Sequence, residues 1–300
     1  MRVVHLTWIA ASIGFAPAQE IPFQFLHNQI VVEGSLNGLD RLNFILDTGT
    51  RTSIVDREIA KRLNLTIGPE VSVAGAGVGR ASARRTLCPS LRLGDMNVRN
   101  LEADILDLSS VAHSLGRPLH GVLGYSFLQK RVVQIDYFER RIRILEKAPN
   151  APAPGSRAVM FPMQFRAGSV LPVLEDCRVN GTRLAVTIDT GSSLGLILFP
   201  KAVDRLGLSD LARDGLPLRA SGYVGPVRMR KGWVRSLKLL DLDLGAVEVA
   251  YVQKGYEDAE ETSRRAGNLG NAILQFFVLT LNYRDNQVTL ESRFEPEDGH

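Results

Sequence analysis

The sequence predicts a mainly β protein with two related lobes, on three observations. Short apolar segments follow one another along the chain and are separated by turn signals such as Asn37-Gly38. The first half resembles the second half when the chain is compared with itself. A Pro/Ala-rich segment at 148–155 lies between the halves and favours neither a helix nor a central strand. With 300 residues, each half is long enough to bury its own core.

Short strands account for most of the predicted elements. Strands are expected at Phe23-Gln24-Phe25 and at 29–33, 42–46, 71–73, 90–93 and 134–137. Asp56 is a good N-cap for one helix, and Pro200 suits the first position of its counterpart. Further short helices are expected after Gly124 and after Gly270.

The internal repeat sets the predicted domains. Residues 42–50 resemble residues 184–192, and Asp189 lies 142 positions after Asp47. Leu123-Gly124 matches Leu269-Gly270 with a spacing of 146. We therefore expect an internal duplication with an N-terminal lobe at 20–147, a linker at 148–155 and a C-terminal lobe at 156–296.

The N-terminus has the pattern of an export signal. Arg2 precedes a mostly apolar stretch that ends at Ala16-Pro17-Ala18, which predicts a signal peptide at 1–18. A buried N-terminal strand is the alternative. The stretch is too short for a stable membrane span, which needs about 20 apolar residues. The protein is therefore expected to be periplasmic or secreted.

Charge and cysteine content exclude some classes of partner. The net charge of +4 is modest, and no basic run is long enough to predict binding to nucleic acid. Cys88 and Cys177 are the two cysteines, and they could form a disulfide or remain free buried thiols. No spacing of Cys and His suggests a metal, so neither a metal nor another cofactor is expected.

Both halves contain an apolar strand that ends in Asp-Thr-Gly. This arrangement places a carboxylate at the strand tip, where the glycine allows a sharp turn and the threonine hydroxyl can bind backbone. A single tripeptide could merely form a turn. Two at matching places, at Asp47 and Asp189, predict that each lobe contributes one carboxylate to a shared site.

These segments resemble the aspartic peptidases of the pepsin/retropepsin type, including the bacterial retropepsin-like families. The resemblance rests on 45–50 with Val122-Leu123-Gly124 and on 187–192 with Asn268-Leu269-Gly270, and it covers nearly all of the chain after residue 18. It implies two pseudo-symmetric acid-protease β-barrel lobes, each with one or two short helices and with the active-site cleft between them. Thr187 and Asn268 depart from the pattern because they are polar where the family is apolar.

The resemblance also implies roles for the residues of the two loops. Asp47 and Asp189 would be the catalytic pair that shares one proton and activates water. The supporting residues would be Thr48 and Thr190, which lock the loops together, Gly49 and Gly191, which shape them, and Thr50 and Ser192, which hydrogen-bond the carboxylates. Those last two hydroxyls would lower the pKa of the pair and favour activity at acidic pH.

A flap over the site is expected in one of two glycine-rich segments. The first contains Gly75 and Gly77, and the second contains Tyr223, which is either the flap aromatic or an ordinary strand residue.

The sequence as a whole predicts an exported aspartic endopeptidase that acts on peptide or protein substrates. Because one chain carries both aspartates, we expect it to be active as a monomer. The alternative is a catalytically inactive peptide-binding protein with the same fold.

Overall fold

The computed structural model describes residues 19–74, 80–149, 156–163, 170–255 and 265–292. The predicted signal peptide, residues 150–155 of the predicted linker, and the flap glycines Gly75 and Gly77 lie outside these ranges. Strands dominate the described residues, and the helices there are at most seven residues long. None of those helices is both long and apolar enough to cross a membrane.

Strands and three short helices make up the described first half of the chain. They are β1 (Gln19–Leu26), β2 (Gln29–Leu36), β3 (Leu39–Leu46), β4 (Ser53–Asp56), α1 (Arg57–Arg62), β5 (Glu70–Ala74), β6 (Arg80–Leu93), β7 (Met96–Leu106), α2 (Ser109–Leu115), β8 (Gly121–Leu123), α3 (Tyr125–Leu128), β9 (Val132–Asp136) and β10 (Arg141–Leu145).

The described second half also consists of strands and short helices. Its elements are β11 (Arg157–Pro162), β12 (Val173–Val179), β13 (Thr182–Asp189), β14 (Leu196–Leu198), α4 (Pro200–Arg205), α5 (Ser209–Asp214), β15 (Leu216–Ser221), β16 (Pro226–Val234), β17 (Leu237–Leu239), β18 (Leu242–Asp243), β19 (Val247–Val252), β20 (Gly267–Gly270), α6 (Asn271–Leu274), β21 (Phe277–Asn282) and β22 (Gln287–Ser292).

Local sequence signals explain several of these boundaries. Asn37 and Gly38 both have positive φ and join β2 to β3, as a tight hairpin turn requires. The Asp56 carboxylate caps α1 by accepting a hydrogen bond from the Glu58 N–H at 3.0 Å. Pro200 is the first residue of α4. The predicted turn and both helix starts are confirmed.

One sheet joins the two halves of the chain. Six strands lie side by side in the order β11, β22, β21, β9, β10, β1, and all the pairs are antiparallel. At its centre Gln134 of β9 lies opposite Thr280 of β21, which is 146 residues later. The same spacing relates Leu123 to Leu269, so the two lobes meet at equivalent strands. This shared sheet fixes the position of each lobe relative to the other.

The largest apolar cluster also extends through both halves. It includes Phe44 and Leu91 from the first half and Ile188 and Leu279 from the second, all of them buried. Cys88 and Cys177 belong to it as free thiols, so the disulfide alternative is wrong. Burial raises the pKa of both thiols to about 12, which keeps them protonated and unreactive.

Candidate active site

Two strand ends position the two Asp-Thr-Gly loops. β3 runs parallel to β8, and β13 runs parallel to β20, so each loop begins beside a Leu-Gly segment. The Asp47 N–H donates to the Leu123 carbonyl at 3.0 Å, and Asp189 lies opposite Gly270 in the strand register. Because the paired strands are buried, the start of each loop is rigid.

Two threonines join the loops by four hydrogen bonds. The Thr48 hydroxyl donates to the Ile188 carbonyl at 2.6 Å and accepts from the Thr190 N–H at 3.0 Å. The Thr190 hydroxyl donates to the Leu46 carbonyl at 2.9 Å and accepts from the Thr48 N–H at 3.0 Å. Both side chains are buried, so these bonds are shielded from water. The loops are thus held in a fixed relation across the two lobes.

The aspartate side chains face each other across this junction. The Gly49 N–H donates to Asp47 Oδ1 at 2.6 Å, and the Gly191 N–H donates to Asp189 Oδ1 at 3.0 Å. The two carboxyl groups are close enough to share a hydrogen bond. A Cβ atom at either glycine would overlap the carboxyl group of the opposite lobe. Glycine is therefore required in both loops by this close approach.

Burial controls the protonation of the pair. Removal from water raises the pKa of Asp47 above its usual range. The pKa of Asp189 is also raised, first by burial and then by the nearby charge of Asp47. Two adjacent buried carboxylates cannot both be ionised at low cost, so the pair retains one proton toward neutral pH.

The outer oxygens of the two carboxyl groups accept from different donors. The Tyr223 hydroxyl donates to Asp47 Oδ2 at 2.9 Å, and Asn268 Nδ2 donates to Asp189 Oδ2 at 2.6 Å. Tyr223 lies in the turn of the hairpin formed by β15 and β16, not within a strand. The reading of Tyr223 as an ordinary strand residue is therefore wrong. Burial, followed by the charge of Asp47, raises the pKa of Tyr223, which keeps its hydroxyl protonated as a donor.

The hydrogen bonds expected from Thr50 and Ser192 to the carboxylates are absent. Thr50 packs against Gly124, where any added side chain would collide with it. The Ser192 hydroxyl accepts from the Leu194 N–H at 3.3 Å. The outer carboxylate oxygens accept from Tyr223 and Asn268 instead. That part of the prediction is wrong, and its argument for a low pKa of the pair no longer holds.

Sequence reasoning missed three residues that support the second loop. Asn28, in the turn between β1 and β2, donates to the Ser193 carbonyl at 3.0 Å, and Gln29, the first residue of β2, donates to the Gly191 carbonyl at 2.8 Å. Asn271 is buried and donates to the carbonyl of Asn28 at 2.7 Å. A polar residue directly after the Leu-Gly segment was a usable signal for Asn271. The other two residues resemble an ordinary polar turn.

The arrangement of the strands and the two joined loops define a two-lobed, acid-protease-like fold. A family model described as aspartyl protease matches the chain at 32–127 and again at 175–273. Each match contains one Asp-Thr-Gly loop and one Leu-Gly segment, and the two together cover more than half of the sequence. The chain belongs to the aspartyl protease family. A search of the curated proteins finds no match.

The raised pKa values predict how stability depends on pH. An unfolded aspartate has a pKa of about 3.9, so between that value and the raised folded pKa the folded state binds more protons. The stability that these additional bound protons contribute is fully present below about pH 4 and is lost as pH rises through the raised pKa values. Because Asp189→Asn removes one of the two titrations, we expect it to gain stability relative to wild type, by about 1 kcal/mol or more, between pH 4 and pH 8. Urea unfolding of both proteins at each pH measures this difference, and a difference that does not change with pH would contradict the coupling.

Proposed function

We propose that the protein is an exported aspartic endopeptidase that hydrolyses peptide bonds with Asp47 and Asp189 as its catalytic pair. The observation that carries this proposal is the meeting of two buried carboxyl groups on loops locked together by Thr48 and Thr190. A turn-forming role for Asp-Thr-Gly would account neither for the burial nor for the facing carboxyl groups. Because one chain supplies both loops, a monomer is sufficient for activity.

The single shared proton defines the reaction. The ionised carboxylate takes a proton from a water molecule, whose oxygen forms a bond with the carbonyl carbon of the substrate. The protonated partner gives its proton to the carbonyl oxygen, which produces a neutral gem-diol intermediate. This intermediate then collapses as the C–N bond breaks, and the leaving nitrogen receives a proton from the pair. No covalent bond between enzyme and substrate forms in this sequence.

Substrate entry requires the second-lobe hairpin to move. Tyr223 binds the outer oxygen of Asp47, which lies where water and the scissile carbonyl must approach. Its ring packs beside the first-lobe cluster that contains Val31, Ile45 and Leu119. The hairpin therefore acts as a flap, and the apolar surface beneath it suits the side chains of an extended peptide.

A diverse peptide mixture tests the proposed function. The protein is incubated with the mixture from pH 3 to pH 8, and the products are identified by mass spectrometry. The double variant Asp47→Asn with Asp189→Asn serves as the blank. We expect new peptide termini with wild type alone. Retention of peptides by wild type without cleavage would replace the proposal with the peptide-binding alternative.

Export is part of the proposal and rests on the signal pattern that ends at Ala18. We expect the exported protein to begin at Gln19. N-terminal sequencing of the protein recovered outside the cytoplasm measures this directly, and a mature protein that retains Met1 would refute the export signal.

A further inference from the structure

The second lobe carries polar side chains behind its aspartate where the first lobe has apolar ones. In β3 and β8, Ile45 lies opposite Val122, and both belong to a buried apolar cluster with Leu119. In β13 and β20, Thr187 lies opposite Asn268 in the same parallel register. The residue that corresponds to Leu119 at the 146 spacing is Arg265. Three equivalent positions therefore change from apolar to polar together.

These three polar residues form a continuous hydrogen-bond network that ends on Asp189. One Arg265 nitrogen, Nη1, donates to the Thr187 hydroxyl at 2.6 Å and to Asn268 Oδ1 at 3.2 Å. The Arg265 guanidinium also lies over the Phe199 ring, 5.4 Å from its centroid. Because the amide oxygen of Asn268 accepts from a group that can only donate, its NH₂ group must point the other way. That direction is toward Asp189 Oδ2, at 2.6 Å.

We propose that Asn268, oriented by Arg265, is a positioning residue that makes Asp189 the ionised member of the pair, and Asp47 the protonated one, once substrate has displaced Tyr223 from Asp47. The inference rests on the proposed function and assigns separate roles within it. Asp189 is then the general base toward water, and Asp47 is the acid toward the carbonyl oxygen of the substrate.

The asymmetry between the two donors explains this assignment. Asn268 is fixed in a strand and keeps its hydrogen bond when substrate binds. Tyr223, the corresponding donor to Asp47, lies on the flap and must leave Oδ2 as substrate enters. A donor to the charged form of an acid stabilises that form, so Asp189 keeps a stabilising contact that Asp47 loses.

The charged and titratable groups that face the pair differ between its two members. Arg265 is a cation on the side of Asp189, and its charge opposes the rise in the pKa of that carboxyl group. Tyr223 and Tyr283 face Asp47. Burial raises the pKa of both phenols, so they remain neutral where the pair titrates.

Titration of the two carboxyl groups provides the test. Asn268→Val gives the second lobe the residue of the first, and the ¹³C signals of Asp47 and Asp189 are followed by NMR from pH 2 to pH 9. The single Asp→Asn variants assign the signals. The titration of Asp189 in wild type is the reference. In Asn268→Val its ionisation should shift upward by about 1 to 2 pH units, since a hydrogen bond to a charged group contributes about 1.5–3 kcal/mol.

A matched control separates this role from a structural one. Asn282 is also a buried strand asparagine, and it donates to the Asp285 carboxylate at 2.8 Å. Asn282→Val should lower stability without moving either dyad titration. Arg265→Leu should raise the pH at which Asp189 ionises. Arg265→Lys should leave that pH close to the wild-type value, because lysine keeps a cation and a hydrogen-bond donor. If Asn268→Val does not fold, the comparison of Arg265→Leu with Arg265→Lys provides the test.

The outcomes distinguish this inference from the proposed function. Titrations of Asn268→Val or Arg265→Leu that match wild type would overturn the inference even if peptides are cleaved. An equal shift in Asn282→Val would overturn it as well. The expected shift in a protein that cleaves no peptide would support the positioning role and refute the peptidase proposal. In an active enzyme, the acidic limb of kcat, which reports the substrate-bound enzyme, should move in the same direction as the Asp189 titration.

Discussion

Asp47→Asn and Asp189→Asn are each expected to lower kcat/KM for peptide cleavage at least about 10³-fold, because an amide can neither take a proton from water nor supply one to the substrate. The asparagine oxygen can still accept from the Gly49 or Gly191 N–H, so the loops should keep their shape. The measurement is kcat/KM on one peptide identified in the mixture, with urea unfolding of each variant to show that it remains folded.

Asp40→Asn is the control for these variants. Its carboxylate is exposed and paired with Arg92, and it lies in β3 on the same strand that leads to Asp47. We expect activity within about twofold of wild type, since exposed ion pairs contribute at most about 1 kcal/mol to stability. If either dyad variant kept activity within tenfold of wild type, its carboxyl group would not be part of the reaction.

The paired loops were predictable from sequence because each residue has a local task. Aspartate ends the strand, threonine offers a hydroxyl to the backbone, and glycine permits close approach. The pattern can therefore be identified from the sequence wherever it occurs. The repeat then indicated that the two copies meet. The repeat also identified the Leu-Gly segments. The helix starts at Asp56 and Pro200 were identified from capping signals, which depend on residues close in sequence.

The donors to the outer oxygens could not be derived in this way. Tyr223 is 176 positions from Asp47, and Asn268 is 79 positions from Asp189, so each contact exists only after the hairpin or strand has packed. For Thr50 and Ser192 the sequence predicted contacts that do not form. Both residues are close to the aspartates in sequence, but their hydroxyls do not reach the carboxylates. The helices α2 and α5 were also missed, since their N-cap positions are occupied by leucines that cannot cap.

The departures from the family pattern proved informative. Thr187 and Asn268 are polar in strands where apolar residues would pack better, and the structure connects them through Arg265 to Asp189. Proteins tend to break local rules of this kind at functional sites, where a polar contact outweighs the loss of apolar packing.

Thr48→Val is expected to destabilise the protein by about 2–6 kcal/mol, because it leaves the Ile188 carbonyl and the Thr190 N–H buried without partners at about 1–3 kcal/mol each. Thr190→Val should have a similar effect through Leu46 and Thr48. Valine has nearly the shape of threonine, so the loss reports on the hydroxyl rather than on packing. Urea unfolding at one pH measures both variants.

Activity should fall further than stability alone would explain. The two threonines fix the distance between carboxyl groups that come from different lobes, and a displacement of about 1 Å at a catalytic group can cost about 10²-fold in rate. We therefore expect kcat/KM of each valine variant to fall by about that factor under conditions where the protein remains folded. Thr48→Ser is the control, because it keeps the hydroxyl and removes one methyl group, at a cost of about 1 kcal/mol.

The double variant Thr48→Val with Thr190→Val tests whether the four hydrogen bonds act as one unit. Once one threonine no longer holds the loops together, the other holds a less ordered partner, so the second substitution should cost less than it does in wild type. The double variant should then be more stable than the sum of the single effects predicts, by about 1 kcal/mol or more. Additive losses would show that each hydroxyl supports only its own contacts. Single variants within about 0.5 kcal/mol of wild type would show that these hydroxyls do not hold the two lobes together at the site.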